Sequence, residues 1–144
     1  MDLGLKGKRA IVTGGTRGIG RAIVDRLALE GCHVGLCARG ADEVAEAVES
    51  VKSCGVNGFG KAVDVTDSVA LRKWIEEAST MLGGLDVLVP NVSALAVAND
   101  ENSWQAGFDT DLMGTFHAVE SAMPHLEASE NGSVVLVAST AALE

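Results

Sequence analysis

The sequence contains no tyrosine among its 144 residues, and aromatic side chains make up only 3% of it. It has three cysteines, Cys32, Cys37 and Cys54, whose odd number and spacing match no zinc or redox motif. Cys37 lies in an apolar run and is predicted to be a buried thiol. The three histidines lack the spacing of metal ligands, so no metal site is predicted. Because free thiols suit a reducing compartment, we expect a cytoplasmic protein.

Long apolar segments and an excess of positive charge are also missing. The first twelve residues, MDLGLKGKRAIV, lack the apolar region and cleavage pattern of a signal peptide, and no run is long enough to cross a bilayer. The formal net charge is −9, which repels nucleic acid and anionic membranes. We therefore expect neither as a partner. Hydrophobic residues make up 47%, which indicates a folded chain.

Apolar runs alternate with amphipathic stretches along the whole chain. Strands are predicted at 9–14, 33–38, 58–65, 85–91 and 132–139. Helices are predicted at 19–31, 41–55, 67–84 and 101–129, the last bent near Gly114 and ending around Pro124. Strands that are continuously apolar are typical of a sheet covered on both faces, and their alternation with helices predicts an α/β fold with a parallel sheet. Residues 1–144 are predicted to form a single domain, or part of one.

A glycine cluster, TGGTRGIG, separates the first predicted strand from the first predicted helix. Gly14 can make the tight turn, while Gly18 and Gly20 let a phosphate or a neighbouring backbone approach closely. The helix that follows presents free N–H groups and a positive dipole end to an anion. No Gly-Lys-Ser/Thr follows, which argues against an ATP-binding P-loop. A tight turn alone would also need glycines, so a purely structural role stays open.

The spacing T-G-x-x-x-G-x-G over residues 13–20 resembles the short-chain dehydrogenase/reductase family. Further segments resemble family motifs in the same order: Asp64–Val65 after the third strand, Asn91 after the fourth, FDTDLMGTF at 108–116 and VVLVAS at 134–139. The resemblance implies a Rossmann-type doubly wound parallel sheet that binds NAD(P), and transfer of hydride to or from a carbonyl or alcohol carbon of a small molecule. The cofactor-binding residues that it implies or that the glycine turn supplies are Gly14, Thr16, Arg17, Gly18, Ile19, Gly20, Arg39, Asp64, Val65 and Asn91.

The end of the second strand indicates which nicotinamide cofactor is used. Members that prefer NAD commonly carry Asp where this chain has Ala38, and Arg39 follows. A guanidinium suits the 2′-phosphate of NADP(H), and Arg17 in the glycine turn could reach the same group. We therefore predict NADP(H) rather than NAD(H). The alternative is that both arginines are solvated loop residues. Arg21 and Arg26 are expected to face outward along the first helix as ordinary surface charges.

The resemblance implies that Ser139 hydrogen-bonds the substrate oxygen, with Thr140 as the alternative. Asp111 stands where the family usually has the asparagine of its catalytic set, so the resemblance implies a catalytic role for it. It could hold a relay water, titrate itself if it were desolvated, or make a structural bond. A second departure is PNVS at 90–93, which keeps Asn91 but replaces the small pair of Asn-Asn-Ala-Gly with Val92 and Ser93.

The family's acid–base pair, Tyr-x-x-x-Lys, lies on the helix after the serine strand, and this sequence contains no tyrosine. The resemblance thus implies a sheet truncated after its fifth strand, a domain incomplete on its carboxyl-terminal side, and a chain inactive alone. A non-catalytic NADP(H)-binding module is the alternative; an S-adenosylmethionine methyltransferase fits poorly with Arg39. The last predicted helix has an apolar face formed by Leu112, Phe116, Val119 and Met123. This face is either internal core or the surface through which the 101–128 helix contacts a second copy in a homo-oligomer.

Overall fold

The computed structural model describes residues 1–139. Its strands are β1 (Arg9–Thr13), β2 (His33–Ala38), β3 (Gly58–Ala62), β4 (Val87–Val89) and β5 (Ser133–Val134). Its helices are α1 (Gly18–Leu29), α2 (Ala41–Ser53), α3 (Ser68–Leu82), α4 (Glu101–Gly107) and α5 (Gly114–Glu127), with a π-helical segment (Phe108–Met113) between the last two. The predicted alternation of strands and helices is confirmed.

The five strands form one parallel sheet in the order β3-β2-β1-β4-β5. The chain runs outward from β1 to β3, then crosses to the other side of β1 for β4 and β5. Open α/β sheets bind ligands at the carboxyl ends of strands where the strand order reverses, which here is between β1 and β4. The fold is the doubly wound Rossmann type that the sequence pattern and its resemblance predict.

Each face of the sheet is covered by a pair of helices. Ile11 points into a core shared with α3 and α5, while its neighbour Val12 points into a core shared with α1 and α2. Successive residues of a strand face opposite sides, so both must be apolar when both faces are covered. Cys37 is fully buried, as predicted, and burial raises the pKa of its thiol to about 12.

Four strands are shorter than predicted, β1 by one residue because it ends at Thr13. β4 ends at Val89 because Pro90 has no N–H group with which to continue a ladder. Beside it, β5 covers only Ser133–Val134 instead of 132–139, although the Val135 N–H still donates to Leu88 O at 2.9 Å and the Val137 N–H to Pro90 O at 3.4 Å. β3 ends at Ala62 rather than at residue 65.

The prediction that the long helix ends around Pro124 is wrong. Pro124 lies inside α5, which continues to Glu127. Ala122 and Leu126, on either side of the proline, are both buried in the core. Packing of a helix face outweighs the loss of one backbone hydrogen bond, so the helix passes through the proline. Where the sequence predicts a bend near Gly114, a π-helical segment immediately precedes that residue.

Candidate functional site

The glycine turn begins directly after β1, at the point where the sheet reverses its order. Gly14 has a φ of +70° and Gly18 a φ of +56°, which an L-residue with a side chain adopts only at a cost. The turn is held against β2 because the N–H groups of Gly14 and Gly15 both donate to the Cys37 carbonyl, at 2.8 and 3.3 Å. The cysteine's backbone thus fixes the shape of the turn.

Gly20 is where the first turn of α1 packs against the end of β1. A Cβ atom at this position would overlap the Gly14 carbonyl oxygen and the Asn91 Nδ2 atom. At Gly18, by contrast, a Cβ would meet nothing within 4 Å. Gly20 therefore closes the turn against the sheet, while Gly18 leaves open space at the start of the helix.

Asn91 joins the end of β4 to the glycine turn. Its Nδ2 atom donates to Gly14 O at 3.1 Å, and its backbone N–H donates to Thr13 Oγ1, also at 3.1 Å. The site prediction for Asn91 therefore coincides with a structural contact: Asn91 supports the turn. Thr13 was not singled out from the sequence, because its hydroxyl acquires a partner only when β1 and β4 lie side by side.

The start of α1 faces this crevice with its first N–H groups uncapped. Arg17 precedes the helix in an extended conformation and makes no side-chain capping bond. Uncapped N–H groups at a helix start are ready donors for an anion such as phosphate. Arg17, Gly18 and Ile19 are all exposed there, Ile19 to 65%.

Arg39 follows the last residue of β2 and is exposed like Arg17. Over residues 1–139, neither of these two arginines forms an ion pair. Arg21 and Arg26 do form ion pairs, with Asp25 and Glu30 at 3.0 and 2.6 Å, as we expect for ordinary surface charges. The two arginines predicted to bind phosphate are thus also the two available to do so.

Asp64 and Val65 occupy different environments although they are adjacent. Asp64 accepts hydrogen bonds from the backbone N–H and the hydroxyl of Thr66, at 2.9 and 2.8 Å. These bonds, and to a smaller degree the nearby Arg39, lower the pKa of the Asp64 carboxyl. The side chain of Val65 is buried and lies 3.1 Å from where a Cβ of Gly114 would stand.

Asp111 lies in the π-helical segment and reaches the loop that follows Asn91. Its Oδ2 atom accepts a hydrogen bond from the Ser93 hydroxyl and its Oδ1 atom one from the Ala94 N–H, both at 2.7 Å. The side chain of Asp111 is exposed. π-helical turns are frequent at functional sites.

Ser139 is the last described residue, at the same edge of the sheet. The Val137 N–H donates to Pro90 O. Ser139 lies two residues after Val137, and Asn91 lies one residue after Pro90, so both follow this hydrogen bond towards the carboxyl ends of the strands. The alternative to Ser139, Thr140, lies outside the described residues. Within residues 1–139, no three His, Cys, Asp or Glu side chains gather where they could hold a metal ion. In the same part of the chain, no helix has both the length and the apolarity to cross a membrane.

Comparison with known proteins gives consistent matches. Residues 8–144 match the family model for short chain dehydrogenases. The 3-oxoacyl-(acyl-carrier-protein) reductase of Staphylococcus aureus is 36% identical, over 92% of this chain and 56% of its own length. The chain spans about half the length of the curated relatives that it matches.

Solved structures with either cofactor are similar to this chain. A short chain dehydrogenase from Burkholderia cenocepacia in complex with NADP is 33% identical, with a TM-score of 0.89 over 96% of this chain and 58% of that one. Carveol dehydrogenase from Mycobacterium avium in complex with NAD is 29% identical, with a TM-score of 0.88 over 96% of this chain and 57% of that one.

Proposed function

Since the chain belongs to the short-chain dehydrogenase family, we propose that it supplies the NADP(H)-binding half of an oxidoreductase. The reaction that we propose is hydride transfer to or from the carbon of a small carbonyl or alcohol substrate. One observation carries the choice of cofactor: Arg17, at the uncapped start of α1, and Arg39, after β2, are both exposed and without ion-pair partners in the described chain.

The residues around the glycine turn fit a dinucleotide phosphate. The N–H groups at the start of α1 suit the pyrophosphate, and Gly18 leaves the approach open. The two guanidinium groups suit a 2′-phosphate, and Ala38 puts no carboxylate beside it. The remaining residues that we propose to contact the cofactor are Gly14, Thr16, Ile19, Gly20, Asp64, Asn91 and, through its backbone, Val65.

When bound, the nicotinamide would supply or accept the hydride. We assign the substrate oxygen to Ser139, whose hydroxyl can donate a hydrogen bond to it and stabilise the charge that develops there. This assignment is supported by the link between Val137 and Pro90, which brings Ser139 to the same sheet edge as Asn91. A reducing, cytoplasmic setting remains our prediction, since all three cysteines are free thiols.

The cofactor proposal is tested by comparing the affinities of the chain for NADPH and NADH. We expect NADPH to bind the wild type at least about tenfold more tightly, because a charge-assisted hydrogen bond contributes about 1.5–3 kcal/mol. Arg39→Ala should lose most of that difference and leave NADH binding unchanged. The matched control, Arg26→Ala, removes the same charge where Arg26 pairs with Glu30 and should change neither affinity. Equal affinities in the wild type would contradict the proposal.

A second candidate is a non-catalytic NADP(H)-binding module. The absence of tyrosine from the 144 residues favours it, because the chain then has no phenol to act as acid–base group. The two candidates differ in turnover. NADPH bound to the chain should be oxidised when a panel of small ketones and aldehydes is added, if the chain itself is the enzyme. Oxidation would contradict the module, whereas binding without oxidation is expected both of the module and of a cofactor-binding half that is inactive alone.

A further inference from the structure

Two positions at which the sequence departs from the family pattern are joined by a hydrogen bond. Asp111 stands where the family usually has asparagine, and Ser93 stands where the pattern Asn-Asn-Ala-Gly has glycine. The Ser93 hydroxyl donates to Asp111 Oδ2 at 2.7 Å, across 18 residues of chain. A glycine at position 93 has no side chain with which to make this bond. The two departures therefore form one structural unit.

In this unit, both oxygens of the Asp111 carboxylate accept a hydrogen bond, and the Ser93 hydroxyl both donates one and accepts one. While Ser93 donates to Oδ2, the Ala94 N–H donates to Oδ1. The Ser93 oxygen in turn accepts a hydrogen bond from the Leu95 N–H at 3.1 Å. Three consecutive loop residues are thus fixed, directly or through Ser93, to one carboxylate on the π-helical segment. We call Asp111, Ser93, Ala94 and Leu95 the loop clamp.

The backbone at the end of the clamp is strained. Leu95 has a φ of +51°, and no other residue except glycine in the described chain has a positive φ. Its side chain is 76% exposed, so burial of that side chain does not hold the backbone in this conformation. Strained residues persist where the surrounding structure fixes them, and they occur frequently at ligand sites. The hydrogen bonds of the clamp are the contacts that fix Leu95.

The clamp lies next to the residue that supports the glycine turn. Asn91 precedes Ser93 by two residues and donates from Nδ2 to Gly14 O. If the loop moved, the position of Asn91 against the turn would no longer be fixed from its carboxyl side. The Asp111 carboxylate on the π-helical segment is in this way linked to the glycine turn through the short stretch of backbone between Asn91 and Ser93.

We propose that Asp111 is a positioning residue, which with Ser93 clamps the loop after β4 and holds Asn91 against the glycine turn. Its carboxylate acts as a hydrogen-bond acceptor for the loop and does not pass on a proton. The effect on cofactor affinity rests on the proposed function, in which the turn holds NADP(H). The clamp itself does not depend on that function.

The clamp is tested first without cofactor, by amide hydrogen exchange of the chain followed by NMR. In Asp111→Ala, we expect the amides of Ala94 and Leu95 to exchange at least about tenfold faster, because a charged acceptor is lost. Asp111→Asn keeps an acceptor oxygen and should restore most of the protection at Ala94. The control Asp109→Ala removes a neighbouring half-buried carboxylate, which bonds only to Gln105 in the described chain, and should leave both amides protected.

A second variant covers the case in which Asp111→Ala does not fold. Ser93→Ala removes the oxygen that accepts from Leu95, so the Leu95 amide should lose protection while Ala94 keeps its bond to Asp111. Unchanged exchange at Leu95 in Ser93→Ala would overturn the clamp. So would unchanged exchange at Ala94 in a folded Asp111→Ala.

The functional arm measures NADPH affinity between pH 6 and 9. We expect Asp111→Ala and Ser93→Ala to weaken NADPH binding about three- to tenfold at every pH, and Asp111→Asn to bind as the wild type does. If Asp111→Asn binds as weakly as Asp111→Ala, the charge itself matters and the positioning role is wrong. If the wild type does not bind NADPH, the proposed function fails, while the exchange experiment still decides the clamp.

Discussion

At the scale of single residues, an ion pair joins Arg9, the first residue of β1, to Asp86, which directly precedes β4. Asp86 accepts three hydrogen bonds from Arg9, at 2.9 Å each, from the backbone N–H, Nε and an Nη group. Ser129 donates a further bond to the same carboxylate. The side chain of Asp86 is only 5% exposed, and its bonds to Arg9 lower the pKa of its carboxyl strongly. The ion pair is therefore an integral part of the fold.

We predict that Asp86→Asn lowers the free energy of unfolding by about 2–4 kcal/mol at pH 7, because it leaves the Arg9 guanidinium without its partner. The pKa of Asp86 is lower in the folded than in the unfolded chain. The contribution of the Asp86 carboxylate to the free energy of unfolding is therefore complete above about pH 5, and it is lost as the pH falls towards the pKa of Asp86 in the folded chain.

Urea unfolding of both proteins from pH 7 to pH 3 checks this prediction. The difference between wild type and Asp86→Asn should shrink as the pH falls below about 4. Glu49→Gln is the control, because the exposed pair of Glu49 with Lys52 contributes less than about 1 kcal/mol. A difference that stays constant over the whole pH range would contradict the prediction.

At the scale of elements, the turn between β1 and α1 has almost no free volume at one of its glycines. Gly20 brings the helix within van der Waals distance of the Gly14 carbonyl and of Asn91. The sequence predicted that glycine is needed here, but it left open whether a ligand or the chain itself requires the space. At Gly20 the chain itself does, whereas Gly18 faces open space.

We predict that Gly20→Ala lowers the free energy of unfolding by at least about 2 kcal/mol, because the new methyl group forces α1 away from the sheet. Affinity for NADPH should fall with it. The control is Gly107→Ala, at a helical position where a Cβ would meet nothing within 4 Å. That substitution should stabilise the chain by about 0.5–1 kcal/mol. Equal stabilities of the two variants in thermal unfolding would contradict the prediction.

Two element boundaries lie near prolines, and the effect of each proline depends on the residues that pack around it. Proline at position 90 ends β4 early, because the ladder needs an N–H group, and Pro124 fails to end α5, because Ala122 and Leu126 are both buried. A proline can be read from the sequence in both cases. Whether it stops an element depends on what packs on each side of it, and that depends on the assembled sheet.

At the scale of the whole molecule, an apolar stripe runs along the outside of α4, the π-helical segment and α5. Its members recur every four or seven residues and are 38–72% exposed: Trp104, Phe108, Leu112, Phe116 and Met123. The alternative that Leu112, Phe116 and Met123 form internal core is therefore wrong, while Val119 does pack against the core. Contiguous exposed apolar patches mark contact surfaces.

We predict that the chain forms homo-dimers through this apolar stripe, with two copies burying the aromatic side chains that a monomer exposes. Sedimentation velocity over a range of concentrations should reveal a concentration-dependent dimer. Phe116→Glu should raise the dissociation constant of the dimer at least about tenfold, because a charge would be buried without a partner. Leu29→Glu, on α1 at the other face of the sheet, is the control and should leave the dimer intact. A monomer at all concentrations would refute the prediction.

The sequence by itself determined the succession of strands and helices, the parallel sheet and the place of the glycine turn. It also led us to predict, from Ala38 and Arg39, which of the two nicotinamide cofactors binds. All of these depend on patterns within about ten residues, because the period of apolar side chains and the needs of a turn are local properties. The tertiary structure alone decided which groups meet.

The bond between Asn91 and Gly14 spans 77 residues, the ion pair of Arg9 and Asp86 also 77, and the bond between Ser93 and Asp111 18. Local patterns carry no record of such distant partners. They become neighbours only when the sheet assembles, because strands far apart in the chain then lie about 5 Å from each other.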